Sequence, residues 1–486
     1  MVTATNQILK GQTARLVDLA LSTEFSDIPA EVVRDTKRII LDTVGCTVAA
    51  FATDTGRMIV DLKRQQGGVG EATLLVHGDR LPVSSAAYVH SQLANLLDLD
   101  ETLLHRTHYA SSIVMPALAM AELTGASGQE VIAAVALGFD IGGRIGLSMP
   151  FYETPSEGMV QFASTWGYSW AAFGTAVAAG RLLGLSHEQM ANALGIAYVS
   201  TPVPFNSPKR KMTGAYWGAR PMHKYAMYGA IAEAGINAVR LATRGFTGDT
   251  AVLDADQAFW TSFGTSPADW DYMMSDLGRK WLISEASLKF YPVCRQGSIP
   301  VDLFSTLVRK EGLSSDEIEG VTVKIPPAQV VMGLYDNESP PSQVGPMPVP
   351  HALALVAAGI ESSLKWVSHD TLHDPEIRSF AMRVKSELMP EWYPAIVDQV
   401  KAEGTYRRIP IEVVIKARGK SFTAYAEYAK GDPWGPEPMT DDELAVKFVN
   451  YTGDLIGRAN ADRAITAALN LDSAPNVHQL IGALHL

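Results

Sequence analysis

Between Asn95 and Leu118 the chain reads NLLDLDETLLHRTHYASSIVMPAL, and Asp98, Asp100, Glu101, Thr102, His105, Arg106 and His108 fall within eleven positions. Three carboxylates and two imidazoles therefore stand where two apolar, helix-like flanks meet. These types suit proton transfer: an imidazole exchanges a proton near neutral pH, and a carboxylate orients it and fixes its tautomer. Asp98, Thr102 and, if the helix continues, His105 fall on one face. The plainer reading is a solvated helix end with capping carboxylates. Asp, Glu and His are also metal-ligand types, but the segment has neither HExxH nor HxxxH spacing, and no metal is expected.

Two further stretches carry positive charge. NSPKRKMTGAYWGARPMHKYAMYGA supplies Lys209, Arg210, Lys211, Arg220, His223 and Lys224. Lys209 to Lys211 read as a solvated loop. Lys224 precedes a small-residue helix, YAMYGAIAEAGINAV, and is placed at the mouth of a cleft. In LKFYPVCRQGSIPVD, Lys289 and Arg295 flank a Tyr-Pro turn and could bind carboxylates. Cys294 has no histidine near it in sequence and does not read as a nucleophile.

Positioning these groups falls to two kinds of element. Residues 1 to about 275 run helix after helix. Pro29 stands at one helix start, and Ser127 with Glu130 and Ser186 with Gln189 have capping-box spacing. Strand-like alternation enters with IEGVTVKIPP and IPIEVVIKARGKSFTAYAEYAKG, the second turning at Arg418-Gly419-Lys420. SIPVDLFSTLVRKEG and DPEIRSFAMRVKSEL read as helical, DPWGPEP as a boundary, and the chain from Thr440 as helix again. The expected architecture is mainly α with an α+β part. Residues 1–275 and 436–486 form an all-helical domain, and 276–435 an inserted α+β lid, with a cleft between them.

Bulk properties narrow the partners. A net charge of −12 over 486 residues leaves no basic excess for nucleic acid or anionic membrane, while a local cationic cluster can still hold a small anion. Cys46 and Cys294 are too few for a disulfide framework, and no apolar run has membrane-spanning length, so a cytoplasmic location is expected.

Over nearly its whole length the chain resembles the MmgE/PrpD family, which includes 2-methylcitrate dehydratases, cis-aconitate decarboxylases and iminodisuccinate epimerases. The likeness rests on LLDLDET…H, PALAMAELTGASGQEVIAAVALGFDIGGRIG, FGTAVAAGRLLGLSHEQMANALGIA, GAIAEAGINAVRLATRGFTG, KFYPVC and MTDDELAVKF, in that order. It implies the architecture above, a homodimer, and catalysis without metal or organic cofactor. By motif it implies that Asp98 and Thr102 belong to the active-site segment, with Glu101 in place of its last Asp. It likewise implies roles for His108, Lys224 and Lys289. Tyr168 and Ser298 stand where the family pattern has histidine, and Pro350 where it has tyrosine.

The function expected from these residues is cofactor-free elimination from a small hydroxy-di- or tricarboxylate. His108 moves the proton, Asp98 orients it, Lys224 and Lys289 balance negative charge, Thr102 and Arg295 contact substrate, and Tyr168 donates to the leaving hydroxyl. Epimerisation or decarboxylation on the same groups, or non-catalytic acid binding, are the alternatives.

Overall fold

The computed structural model describes residues 11–154, 160–163, 168–202, 222–254, 259–262, 268–328, 333–338 and 341–485. Its first half is helical: α1 (Gln12–Ser22), α2 (Ala30–Ala50), α3 (Asp54–Gln66), α4 (Val83–Ala94), α5 (Ala110–Thr124), α6 (Gly128–Leu147), α7 (Ala171–Leu182), α8 (His187–Ser200) and α9 (Met227–Ala242). Local chemistry sets the starts. Pro29 precedes α2, where a missing N–H is harmless. The Ser127 and Ser186 hydroxyls accept the amides of Glu130 and Gln189, whose side chains return the bond.

Helix α5 lies at the centre. It is buried without a gap from Ala110 to Ala121 and packs on α2, α4, α6, α7 and α9. A helix apolar all round has no solvent face, which fits its sequence SSIVMPALAMA. Small residues let its neighbours close in: a Cβ at Gly138 of α6 would lie 2.7 Å from the Gly174 carbonyl oxygen of α7.

Two short strands, β1 (Thr102–Leu103) and β2 (Ala286–Ser287), pair antiparallel and stitch the α4–α5 connection to the chain entering the α+β part. That part contains α10 (Arg295–Glu311), α11 (Val349–Ala357) and the strands β3 (Ile318–Ile325), β4 (Val384–Leu388), β5 (Ile411–Ala417) and β6 (Lys420–Ala426), in sheet order β6-β5-β3-β4. The β5–β6 hairpin turns on Arg418 and Gly419, both at positive φ (54° and 66°), as a two-residue turn of matching twist requires. Ile411, Val413, Ile415 and Ala417 alternate inward, and β5 packs on α10.

One sequence reading changes here. DPEIRSFAMRVKSEL holds a helix only over Pro375–Ala381; Val384–Leu388 is strand, paired parallel to β3. Only Val384 is buried in it, so helix propensity in a polar run yields to the open hydrogen-bonding groups of the sheet edge.

After the sheet, Thr440 and Glu443 form another capping box and start α12 (Asp441–Ile456), followed by α13 (Arg458–Leu469). Both pack on α2, so the chain's last helices rejoin its first. The fold is mainly α with an α+β part. Among the described residues, no helix is long and apolar enough to cross a membrane.

Candidate active site

Residues 95 to 109, which link α4 to α5, are buried throughout. A buried connection must find partners for its polar groups inside the protein. Asn95 donates its amide to both oxygens of Asp100 (2.8 and 3.0 Å). Glu101 Oε1 accepts the amides of Tyr109 and Ala110 (2.6 and 2.9 Å), capping the first turn of α5. Arg106 holds the end of α6 through the Leu147 and Met149 carbonyls (3.2 and 2.5 Å). Thr405 donates to the Leu104 carbonyl (2.6 Å). Asp98, Leu104 and His105 sit at φ of 52°, 51° and 54°, a left-handed conformation costly outside glycine and tolerated only where surroundings enforce it.

His108 points its Nδ1 at Asp100 Oδ1, 3.3 Å away. The rings of Tyr168 and Tyr228 stand edge-on to it at 6.1 and 6.4 Å and stack on each other at 5.6 Å. Asp98 faces another way. Its Oδ1 and backbone carbonyl accept from the Lys289 ammonium (2.6 Å to Oδ1), and its Oδ2 accepts from the Tyr225 hydroxyl (2.9 Å). The reading that gave Asp98 the task of orienting His108 is corrected: Asp98 is engaged by Lys289 and Tyr225, and the carboxylate facing His108 Nδ1 is that of Asp100, at 3.3 Å and without hydrogen-bond geometry. The left-handed φ of Asp98 turns its side chain away from that of Asp100, so the two aspartates of DLDET meet different partners.

The other candidates divide. Thr102 is buried on β1, its hydroxyl without a protein partner. Tyr168 is brought to His108. Lys289 is fully buried and committed to Asp98. Arg295 is spent elsewhere: its guanidinium binds Asp432 and the Leu288 carbonyl (2.9 Å), holding the DPWGPEP turn to α10. Lys224 lies in the turn Met222–Ala226; its side chain, and all of Lys209, Arg210, Lys211 and Arg220, are outside the described residues. Ser298 is buried, with its hydroxyl lacking a protein partner, and Pro350 opens α11. Sequence reasoning missed Asp100 as the histidine's partner, and missed Tyr225 and Tyr228. The signal for the tyrosines was in HKYAMYGA, where Tyr225 and Tyr228 are three apart and follow Lys224.

Protonation follows burial. The Glu101 carboxyl is pushed up to about 8 by burial and then by the charge of Asp100, so it keeps its proton at neutral pH. Burial, with Asp98 next, raises the Tyr168 hydroxyl well above its usual value; burial first also raises Tyr228. Both act as donors and not as bases. Burial lowers His105 to about 4, which keeps it neutral against the Tyr406 ring on which it stacks at 5.5 Å. Among the described residues, Asp100, Glu101 and His108 also bring ligand-type atoms within 4.8 Å of one another. Hydrogen bonds to Asn95 and to two backbone amides already engage both carboxyl groups of that trio, and the proton on Glu101 lowers its charge.

Burial gives a stability prediction. His90, which accepts the Leu75 amide at 3.1 Å, is lowered by burial to about 3, and His105 to about 4, against an ordinary 6.5. The unfolded chain binds those protons first, so their contribution is intact above pH 6.5 and lost as pH falls through 6.5 toward 4. Glu101 has the opposite sign: raised from 4.5 to about 8, its contribution is full below 4.5 and lost as pH rises through 8. Asp302, raised by burial from 3.8 to about 7, has the sign of Glu101, so between pH 6.5 and 4.5 the two carboxyls offset the two histidines. Removing one histidine should therefore change the pH slope of unfolding free energy by about 1.4 kcal/mol per pH unit. Urea titrations of wild type and His90→Gln across that range should show the difference; identical slopes would contradict a buried neutral imidazole.

The helical body and the α+β part meet near a buried histidine, carboxylates and a lysine, side chains of types that can exchange protons. The chain belongs to the MmgE/PrpD family: residues 14–271 match its N-terminal domain and 291–473 its C-terminal domain. It is 25% identical to a cis-aconitate decarboxylase of Aspergillus terreus over 500 residues, covering 98% of this chain and 96% of the relative. It is 24% and 23% identical to the cis-aconitate decarboxylases of Mus musculus and Homo sapiens, over 96% of this chain and 91% and 92% of theirs.

Proposed function

We propose that this chain is a cofactor-independent lyase for a small polycarboxylate, with decarboxylation of a cis-aconitate-like acid as its leading reaction. The observation that carries the reading is the His108–Asp100 pair, buried among two tyrosines that stay protonated. Loss of carbon dioxide breaks a C–C bond and leaves its electron pair in the substrate. One acid is then needed to protonate carbon, and His108 can serve, drawing its next proton from solvent. Asp100 holds the tautomer that presents Nε2 to substrate. Lys224, at the mouth of α9, is assigned to a substrate carboxylate. Lys289 acts through Asp98, and Thr102 offers its free hydroxyl.

Dehydration, the first expectation from sequence, needs a base for the C–H proton and an acid for the departing hydroxyl. Tyr168 beside His108 is the observation that favours it as second reading, since a phenol donates well to a leaving oxygen. The full-length likeness to decarboxylases and the single imidazole at Asp100 among the described residues put decarboxylation first.

The test is NMR of cis-aconitate, 2-methylcitrate and citrate with the protein in D₂O. Decarboxylation releases carbon dioxide and leaves one deuterium on the protonated carbon. Dehydration instead creates a double bond with loss of hydroxyl, and epimerisation leaves deuterium at a retained stereocentre. If none of these acids is converted and none raises the melting temperature, the lyase reading fails.

A further inference from the structure

The stretch MTDDELAVKF, near the end of the chain, has no part in the chemistry above, yet its Lys447 reaches the site from beneath. Lys447, on α12, is buried; it donates to Asp42 of α2 and, at 3.0 Å, to the carbonyl of Leu99. Leu99 is the residue between Asp98 and Asp100. Segments some four hundred positions apart thus meet under the one turn that aims Asp98 at Lys289 and Asp100 at His108. Asp42 Oδ2 is buried with no protein partner, so Lys447 is the principal compensation for its charge.

We propose that Lys447 and Asp42 form a positioning pair for the active site. The bond to the Leu99 carbonyl fixes the peptide that follows the left-handed Asp98 and thereby the direction of Asp100. The ammonium charge also offsets a local excess of carboxyl groups around the Asp100–His108 pair. Burial, which alone would lower it, is outweighed at Lys447 by attraction and hydrogen bonding to Asp42 and by attraction to Asp100, and the lysine stays cationic. Losing either partner would leave the other's charge buried and unpaired.

The experiment uses the full chain and three variants: Lys447→Met, Asp42→Asn and the double substitution. Melting temperature and the titration of His108, followed at its ring carbon by NMR of the ligand-free protein, need no substrate. His108 faces Asp100 and Glu101 from its own segment, Tyr168 from the loop before α7 and Tyr228 from α9; Lys447 faces Asp42 and Cys46 from α2. Removing the ammonium alone should raise the His108 midpoint by about one pH unit. The double variant restores charge balance, so its melting temperature and His108 midpoint should return toward wild type. Its kcat should stay about tenfold or more below wild type, with KM nearly unchanged, because the Leu99 carbonyl still lacks its donor. A purely structural pair predicts that the double variant regains both stability and kcat, and that outcome overturns the proposal. If Lys447→Met does not fold, the double variant carries the test. The kinetic arm rests on the lyase reading; an unmoved His108 midpoint in folded Lys447→Met refutes the inference whether or not that reading holds.

Discussion

His108→Asn is expected to lower kcat on the true substrate by about 10²- to 10⁴-fold, with melting temperature close to wild type. The asparagine keeps a hydrogen-bonding group near Asp100 and fits the space between Tyr168 and Tyr228, so lost turnover reports on chemistry and not on folding. Asp100→Asn should follow it, since an amide oriented by Asn95 no longer stabilises the Nδ1 proton, and His108 loses its fixed tautomer. Asp98→Asn should behave differently, because its neighbours are Lys289 and Tyr225. The pH profile separates the two: Asp100→Asn moves the limb set by His108 to lower pH, as removing an adjacent negative charge must. Steady-state assays of the three variants on the substrate found by NMR decide it. Wild-type turnover in His108→Asn would remove the histidine from the mechanism.

The helices and the sheet were legible because they rest on local rules. Ser127, Ser186 and the Arg418-Gly419 turn announce their structures within four residues, and α5 shows by its unbroken apolar composition that it must lie inside. The strand Val384–Leu388 was not legible, since its partner β3 is some sixty residues away and its own residues are polar. The same distinction runs through the site. The polar knot stood out from its types and spacing, and its setting between two buried helices was visible. Which aspartate serves which partner was not, because left-handed φ at Asp98 turns the two side chains apart, and nothing in DLDET marks that angle. Arg295 was misjudged for a related reason. Its partner Asp432 lies 137 positions on, in a segment that reads only as a boundary. The family pattern, by contrast, gave Lys289 a role toward substrate charge, with nothing in it to mark that its ammonium pairs with Asp98.

Lys289→Met is the second substitution with a large expected effect, and it separates two roles for that lysine. A lysine held for substrate would face open space in the free protein; removing it would raise KM and leave stability nearly unchanged. Here the side chain is fully buried, and its ammonium donates to Asp98 Oδ1, to the Asp98 carbonyl and, at 3.5 Å, to the carbonyl of Val293. Its removal takes from the buried Asp98 carboxylate the ammonium paired with it, while the Tyr225 hydroxyl still donates to Oδ2. Breaking such a pair from one side costs about 3–5 kcal/mol, most of it the penalty of the orphaned charge. Chemical denaturation of the ligand-free variant should show that loss. Asp98→Asn in the same chain should recover much of it, because a neutral amide can keep the Tyr225 bond without needing a cation. The activity of this pair of substitutions should nevertheless remain low, since the turn bearing Asp100 loses an anchor to the α+β part even when the charge is gone. A Lys289→Met protein as stable as wild type, with only KM raised, would instead mean that the ammonium leaves Asp98 to hold substrate.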